Sequence, residues 1–315
     1  MLKKALLGGF GVILLLLPHI AGNDYIVLLV ILACIYSILG MGFSMTWKNR
    51  LITCGQAGFW AIGAYSSALL VMELGLNFWV AMPLSGLISA LFAFIVYSIA
   101  LRAGPLVFFS MSLVFSFIVM EVLGTTGYFG GWEGIMDVPS PKIGGYVLLS
   151  KTSQYYLALS LLLFNILVYY ALYKSPIGRA WSAIGSNVRL AEAQGINVYR
   201  YRLGAAVISC FFAGVVGSFY AHTQNLIVPT TFSFHCSIYV QMYALIGGLS
   251  FYIAGPIIGA LVMVFLPEFL RSTAEFQPIF FGVFLILIII FIPGGILSIP
   301  QRFPRLAGAF LRMKK

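Results

Sequence analysis

Three histidines, four cysteines and eight carboxylates are the whole stock of side chains here that could bind a metal, form a thiolate or move a proton. Their spacing serves none of these ends. His19, His222 and His235 stand far apart, and no His-Glu-x-x-His run sets two imidazoles on one helical face. Cys34, Cys54, Cys210 and Cys236 fall singly in apolar stretches, as small core residues do. No Gly-x-x-x-x-Gly-Lys-Ser/Thr loop is present to cradle phosphates. The sequence therefore offers no catalytic residue, no metal site and no cofactor site, and if the protein moves something uphill, another subunit is expected to supply the energy.

The segments that carry these residues are built for lipid. Apolar residues make up 61% of the chain and charged residues 8%, against about 25% charged in soluble domains. So few charges cannot cover a water-facing surface of this size. Continuous apolar runs, without the alternation of a strand barrel, predict helices. Spans are expected near 5–22, 25–46, 57–74, 78–101, 105–123, 153–173, 203–223, 237–249, 254–270 and 276–293. The eighth is shorter than the roughly 20 residues a crossing needs, and it forms either a tilted span or a broken pair with the ninth. The third starts in a glycine-rich stretch and reads as partly re-entrant. The fold class is thus an all-α, polytopic transmembrane bundle of about 8–10 segments, one transmembrane domain over residues 1–315.

Charge sets the orientation. With both termini inside, only Lys142, Lys151 and Arg271 of the 18 basic residues fall outside, and only Glu192 of the eight acids falls inside. The net charge of +10 is an orientation signal, and nucleic acid is not a partner. Lys3 and Lys4 ahead of an apolar run also resemble a signal peptide, whose removal would leave the rest oriented as before. No span places a charged residue near the bilayer centre, where ion-coupled carriers keep theirs.

The inside loop, 174–202, is the most informative segment. Ser175 suits a helix N-cap, Pro176 the first helical position, and Gly195 a helix stop. Between them Ile177, Ala180, Trp181, Ile184, Val188 and Ala191 recur at helical spacing as one apolar stripe, with Arg179, Ser182, Ser186, Arg189 and Glu192 largely off it. Such a stripe needs cover: a groove on a soluble partner, the membrane interface, or this chain's own helices.

The run from Ser175 to Asn197 resembles the cytoplasmic coupling loop of the branched-chain amino acid ABC transporter permease family, with Glu192–Ala193 and Gly195 as a form of its "EAA" motif. Gly55–Leu70, Gly124–Pro141, Ala244–Arg271 and Phe291–Ile296 resemble further blocks in the same order, so the likeness covers roughly residues 40–300. The resemblance implies that Ser175, Gly178, Arg179, Ala183, Glu192, Ala193, Gly195 and Ile196 engage an ATPase. It also implies a second related permease subunit, two ATP-binding subunits and an external solute-binding protein, all around a multi-pass chain of the cytoplasmic (inner) membrane. Where many relatives read Gly-Gln-x-Ser-Leu-Gly-His, this chain has Leu51 to Gln56 without the serine and histidine. Importers of urea and short amides share the architecture and stay open as an alternative, as does a stand-alone carrier or channel.

Two more groups carry double readings. Gly55, Gln56, Gly58, Gly63, Gly247 and Gly248 either line a translocation path or let helices pack closely. Trp132, Glu133 and Asp137, in the external loop 124–152, belong either to a solvated loop or to the docking face for a binding protein.

Overall fold

The computed structural model describes residues 18, 23–143, 146–148 and 150–269, with 282–283, 286–287, 290–292 and 294–299 toward the C-terminus. The span expected at 5–22, apart from Pro18, and most of that at 276–293 lie outside the described residues. Ten helices are named here: α1 (Asp24–Lys48), α2 (Gln56–Met72), α3 (Phe78–Ala100), α4 (Pro105–Thr125), α5 (Lys151–Lys174), α6 (Pro176–Ser186), α7 (Val188–Ala193), α8 (Val198–Gln224), α9 (Phe234–Gly247) and α10 (Ala254–Phe269). Every span expected between 25–46 and 254–270 is present as one helix. Among the described residues five helical stretches, those of α1, α3, α4, α5 and α8, are long and apolar enough to cross a membrane. Strand structure among the described residues is confined to two-residue pairs: β1 (Ile135–Met136) with β4 (Leu226–Ile227), and β2 (Lys142–Ile143) with β3 (Tyr146–Val147).

Local sequence sets the helix ends. Asn23, Asn77 and Ser150 cap α1, α3 and α5 through their side-chain oxygens. Pro105 occupies the first turn of α4, where its missing N–H costs nothing. Helix α1 ends in a Schellman turn, with Leu51 N–H bonded to Thr46 O and Arg50 N–H to Trp47 O. The left-handed position of that turn, usually glycine, is taken by Arg50 at φ +58°.

Burial sorts the helices into an inner and an outer set. The apolar window of α1 is 78% buried and that of α4 only 22%, so α1 runs through the middle and α4 faces lipid. Helix α8 and α2 join α1 inside, while Leu87, Phe92 and Ile95 of α3 and Leu163, Phe164 and Leu167 of α5 point outward. An all-round apolar helix belongs inside or in lipid, and both kinds are present. Helices α2 and α8 meet at Gly63 and Gly214, where a side chain on Gly63 would strike the Gly214 backbone. Beside them Trp60 lies 5.0 Å from the Tyr220 ring and 4.7 Å from that of Phe232, both edge-on.

The two ends of the bundle have opposite character. At the basic end, Lys48 Nζ sits 4.6 Å above both the Tyr173 and the Tyr252 rings, bringing together the end of α1, the end of α5 and the α9–α10 turn. At the acidic end, Tyr25 Oη donates to Glu268 (2.6 Å) and Tyr128 Oη to Glu73 (2.5 Å). That second carboxylate raises the Tyr128 phenol above its ordinary pKa. The ends that the charge pattern assigns to the same side are the ends that meet.

Candidate functional site

The inside loop folds as two helices, a correction to the single helix expected between Ser175 and Gly195. Ser175 does cap α6, accepting from Gly178 N–H at 3.4 Å. At Asn187 the chain turns extended (φ −154°), and its side chain caps α7 by accepting from Leu190 N–H at 3.2 Å. The stop at Gly195 is as expected. Ile196 N–H reaches Ala191 O, Gly195 N–H reaches Glu192 O, and Gly195 holds φ +81°.

The apolar stripe is covered by this chain itself. Trp181, Ile184 and Ala191 are buried, and Ile184 and Ala191 form a small core with Val198, Val188 and Ile196. Ile177 alone of the stripe stays exposed. Cover by a partner groove or by the membrane interface is therefore not its main fate. Two hydrogen bonds fix the loop to the bundle, Trp181 Nε1 to Tyr201 O (3.1 Å) and Arg50 Nε to Gly185 O (2.8 Å), and beside them Arg202 Nε of α8 donates to Asn49 O (3.1 Å). Gly178 and Gly185 are there for close approach, since a side chain on either would strike the backbone at Tyr173 or Lys48. What remains exposed is a polar edge: Arg179, Ser182, Ser186, Arg189, Glu192, Ala193 and Gly195, with Leu190 beside it. Of the resemblance-derived residues, Arg179, Glu192, Ala193 and Gly195 lie on that edge. Ser175, Ala183 and Ile196 are half-buried beneath it.

Residues 51–55, between α1 and α2, are the irregular segment expected at the glycine-rich third span. They run without helix into the protein, and side chains satisfy their backbone. Ser112 Oγ accepts from Cys54 N–H (2.9 Å), Ser116 Oγ donates to Cys54 O (3.0 Å), and Gln241 Nε2 donates to Thr53 O (3.2 Å). Thr53 Oγ1 pairs with Tyr97 Oη at 2.9 Å, and Ala57 N–H donates to Ser237 Oγ at 2.9 Å. Gln56 is buried, its Nε2 donating to Ser209 Oγ (2.7 Å) and its Oε1 unpartnered. These partners were not foreseen. The signal was there in part, in serines four apart on apolar helices: Ser112 with Ser116, and Ser85 with Ser89.

The glycines named with Gln56 stand at points of close packing. A side chain on Gly55 would meet Tyr97 Oη, on Gly58 the Ser116 backbone at 3.1 Å, and on Gly247 the Gly255 carbonyl. Gly248 adopts φ +117° against Gly294 O. All are buried, and none of them lines the clefts described below.

The external loop is a folded cap in place of a freely solvated segment. Val138 N–H bonds to Asn225 O (3.1 Å), and Asn225 Nδ2 donates to Val138 O (2.6 Å) and Ser140 Oγ (2.8 Å). His222 is buried, its Nδ1–H donating to Pro139 O (2.6 Å) and its Nε2 lying 3.0 Å from Ser67 Oγ. This histidine, expected as an interfacial polar residue, is a structural tie. Trp132, Glu133 and Asp137 project from the cap as exposed residues. His235 is exposed and His19 lies outside the described residues. Among the described residues no group of histidine, cysteine and carboxylate side chains could hold a metal.

A lipid-facing bundle, a packed glycine-rich interior, a buried non-helical segment and a polar loop bonded to the basic end define a polytopic membrane permease. Residues 25–293 match the sequence profile of the family described as branched-chain amino acid transport system, permease component, and the chain belongs to that family. The high-affinity branched-chain amino acid transport system permease protein LivM of Salmonella typhimurium is 30% identical over 292 residues, covering 85% of this chain and 68% of the relative. LivM of Escherichia coli K12 is 30% identical over 296 residues, covering 86% and 69%. The guanosine ABC transporter permease protein NupQ of Bacillus subtilis is 24% identical over 204 residues, covering 60% and 64%. No solved structure matches the chain.

Proposed function

We propose that this protein is the membrane-spanning permease subunit of an ATP-driven importer for branched-chain amino acids. In this reading it sits in the cytoplasmic membrane with its basic end inside. The observation that carries the substrate is the 30% identity to LivM over 85% of the chain. The partners are a second permease subunit, two ATP-binding subunits and an external solute-binding protein. The exposed edge of α6 and α7 (Arg179, Arg189, Glu192, Gly195) would receive the ATP-binding subunits, and the cap bearing Trp132, Glu133 and Asp137 would receive the binding protein. Closure of the ATP-binding subunits would press on a loop already bonded to the ends of α1 and α8, so the push would reach the bundle directly.

Reconstitution tests it. Vesicles carrying the four membrane components and supplied with binding protein should take up radiolabelled leucine only with internal ATP. Uptake of a nucleoside or a short amide in place of leucine would overturn the substrate. ATP-independent leucine uptake by this chain alone would overturn the subunit reading.

A further inference from the structure

At the basic end a cavity of about 610 Å³ opens between the turn after α1 and the loop helix α6. Its polar wall holds Lys48, Arg50, Ser182 and Ser186, and no carboxylate lines it. Neither cation has a carboxylate partner among the described residues. Lys48 rests on two tyrosine rings, and Arg50 uses only its Nε, toward Gly185 O. Arg50 is held there from a left-handed backbone position (φ +58°) that glycine would occupy at lower cost. Its guanidinium is thus kept at the cavity against a local conformational preference.

The other wall is apolar. Trp47 and Ile52 line this cavity and also a second, narrower groove of about 210 Å³. That groove runs between the end of α1 and α9, past Phe43, Ile238, Leu245 and Leu249, of which Ile238 and Leu245 are exposed. A two-cation hollow therefore adjoins an apolar groove, with Trp47 and Ile52 forming the wall common to both. The occupant that fits both halves has a phosphate at one end and a hydrocarbon chain at the other.

We propose that an anionic phospholipid of the inner leaflet is held here, its phosphate between Lys48 and Arg50 and one acyl chain along the α1–α9 groove. Basic pockets between helices on the inner side suit such headgroups, and a volume within about 300–1,000 Å³ suits a ligand of that size. The lipid would then stand as a strut between α1 and the loop.

The isolated chain, purified in mild detergent, tests this independently of transport. Native mass spectrometry counts retained phosphatidylglycerol against phosphatidylcholine of the same chains. Phosphatidylglycerol should be preferred, and Lys48→Gln should cut that preference roughly five-fold, the effect of one cation near a membrane surface. Ser186→Asp, which sets a negative charge at the exposed rim, should weaken it too, while Arg200→Gln elsewhere on the basic end should not. Equal retention of both lipids, or unchanged preference in Lys48→Gln and Ser186→Asp, would overturn the proposal. Displacement by inorganic phosphate would overturn it in favour of a free-anion site. Loss of the lipid on co-purification with the second permease subunit would show that the groove is a subunit interface.

Discussion

The guanidinium of Arg50 donates to the carbonyl of Gly185 across 2.8 Å, joining the turn that ends α1 to the last turn of α6. That carbonyl belongs to a helix C-terminus with no partner of its own in the helix, so the bond satisfies an orphan acceptor while it pins the loop. Gly185 also has to be glycine on packing grounds, because a β-carbon would collide with Lys48 O. Gly185→Ala should force α6 off the end of α1 and destabilise the protein by about 1–3 kcal/mol, the usual range for overpacking. A thermal melt of the purified variant in detergent measures this, and a melting point equal to the parent would show the contact to be slack.

Gly195 presents the opposite case. No atom lies within 4 Å of where its side chain would stand, so only its φ of +81° resists substitution. Gly195→Val should cost about 1–2 kcal/mol, the left-handed penalty for an L-residue. That is too little to unfold the bundle and enough to redirect the loop after α7. Membrane abundance should stay near normal while co-purification of the ATP-binding subunits falls. Gly195→Asn, which tolerates this conformation, should restore most of it.

Glu192 is exposed and, among the described residues, is the one acid on the basic side. Glu192→Lys should leave abundance and melting unchanged and reduce association with the ATP-binding subunits. Normal association and normal uptake in this variant and in Gly195→Val together would remove the loop from the coupling mechanism.

The Gln56–Ser209 pair distinguishes packing from transport. Ser209→Ala strands a buried amide donor and should cost about 1–3 kcal/mol, whereas Gln56→Leu removes both the donor and the unpartnered Oε1 and should cost less. Should Gln56→Leu abolish uptake with stability intact, Gln56 contacts the solute, and the packing role is incomplete.

Much of this architecture was legible in the residues. Lipid as solvent, the spans from 25–46 to 254–270, the Ser175 cap and the Gly195 stop all rest on local rules that tertiary context did not override. The break at Asn187 was hidden because Ile184 and Val188 keep helical spacing across it, although an asparagine within the run was the clue. The cover of the stripe was not legible. Periodicity shows that a face is apolar without naming what packs on it, and here Val198 and Ile196, just downstream, supply the partner. The external cap was read as loop because its order comes from long-range bonds, such as Asn225 to Val138. The glycines were ambiguous for a related reason. Close packing and path lining ask for the same residue, and only the facing backbone at Gly63 and Gly214 separates them.

The self-covered stripe bears on how the importer is assembled and how it cycles. A loop that displayed Trp181 and Ile184 to water would need a chaperone, or a partner made at the same time, to avoid clumping. With both side chains buried in its own bundle, the subunit is safe to synthesise first and wait. If the ATP-binding subunits dock on this loop as proposed, docking carries less ordering entropy, because the loop is already packed and bonded to the bundle. A modest polar contact suffices, one able to let go and re-form at every turnover.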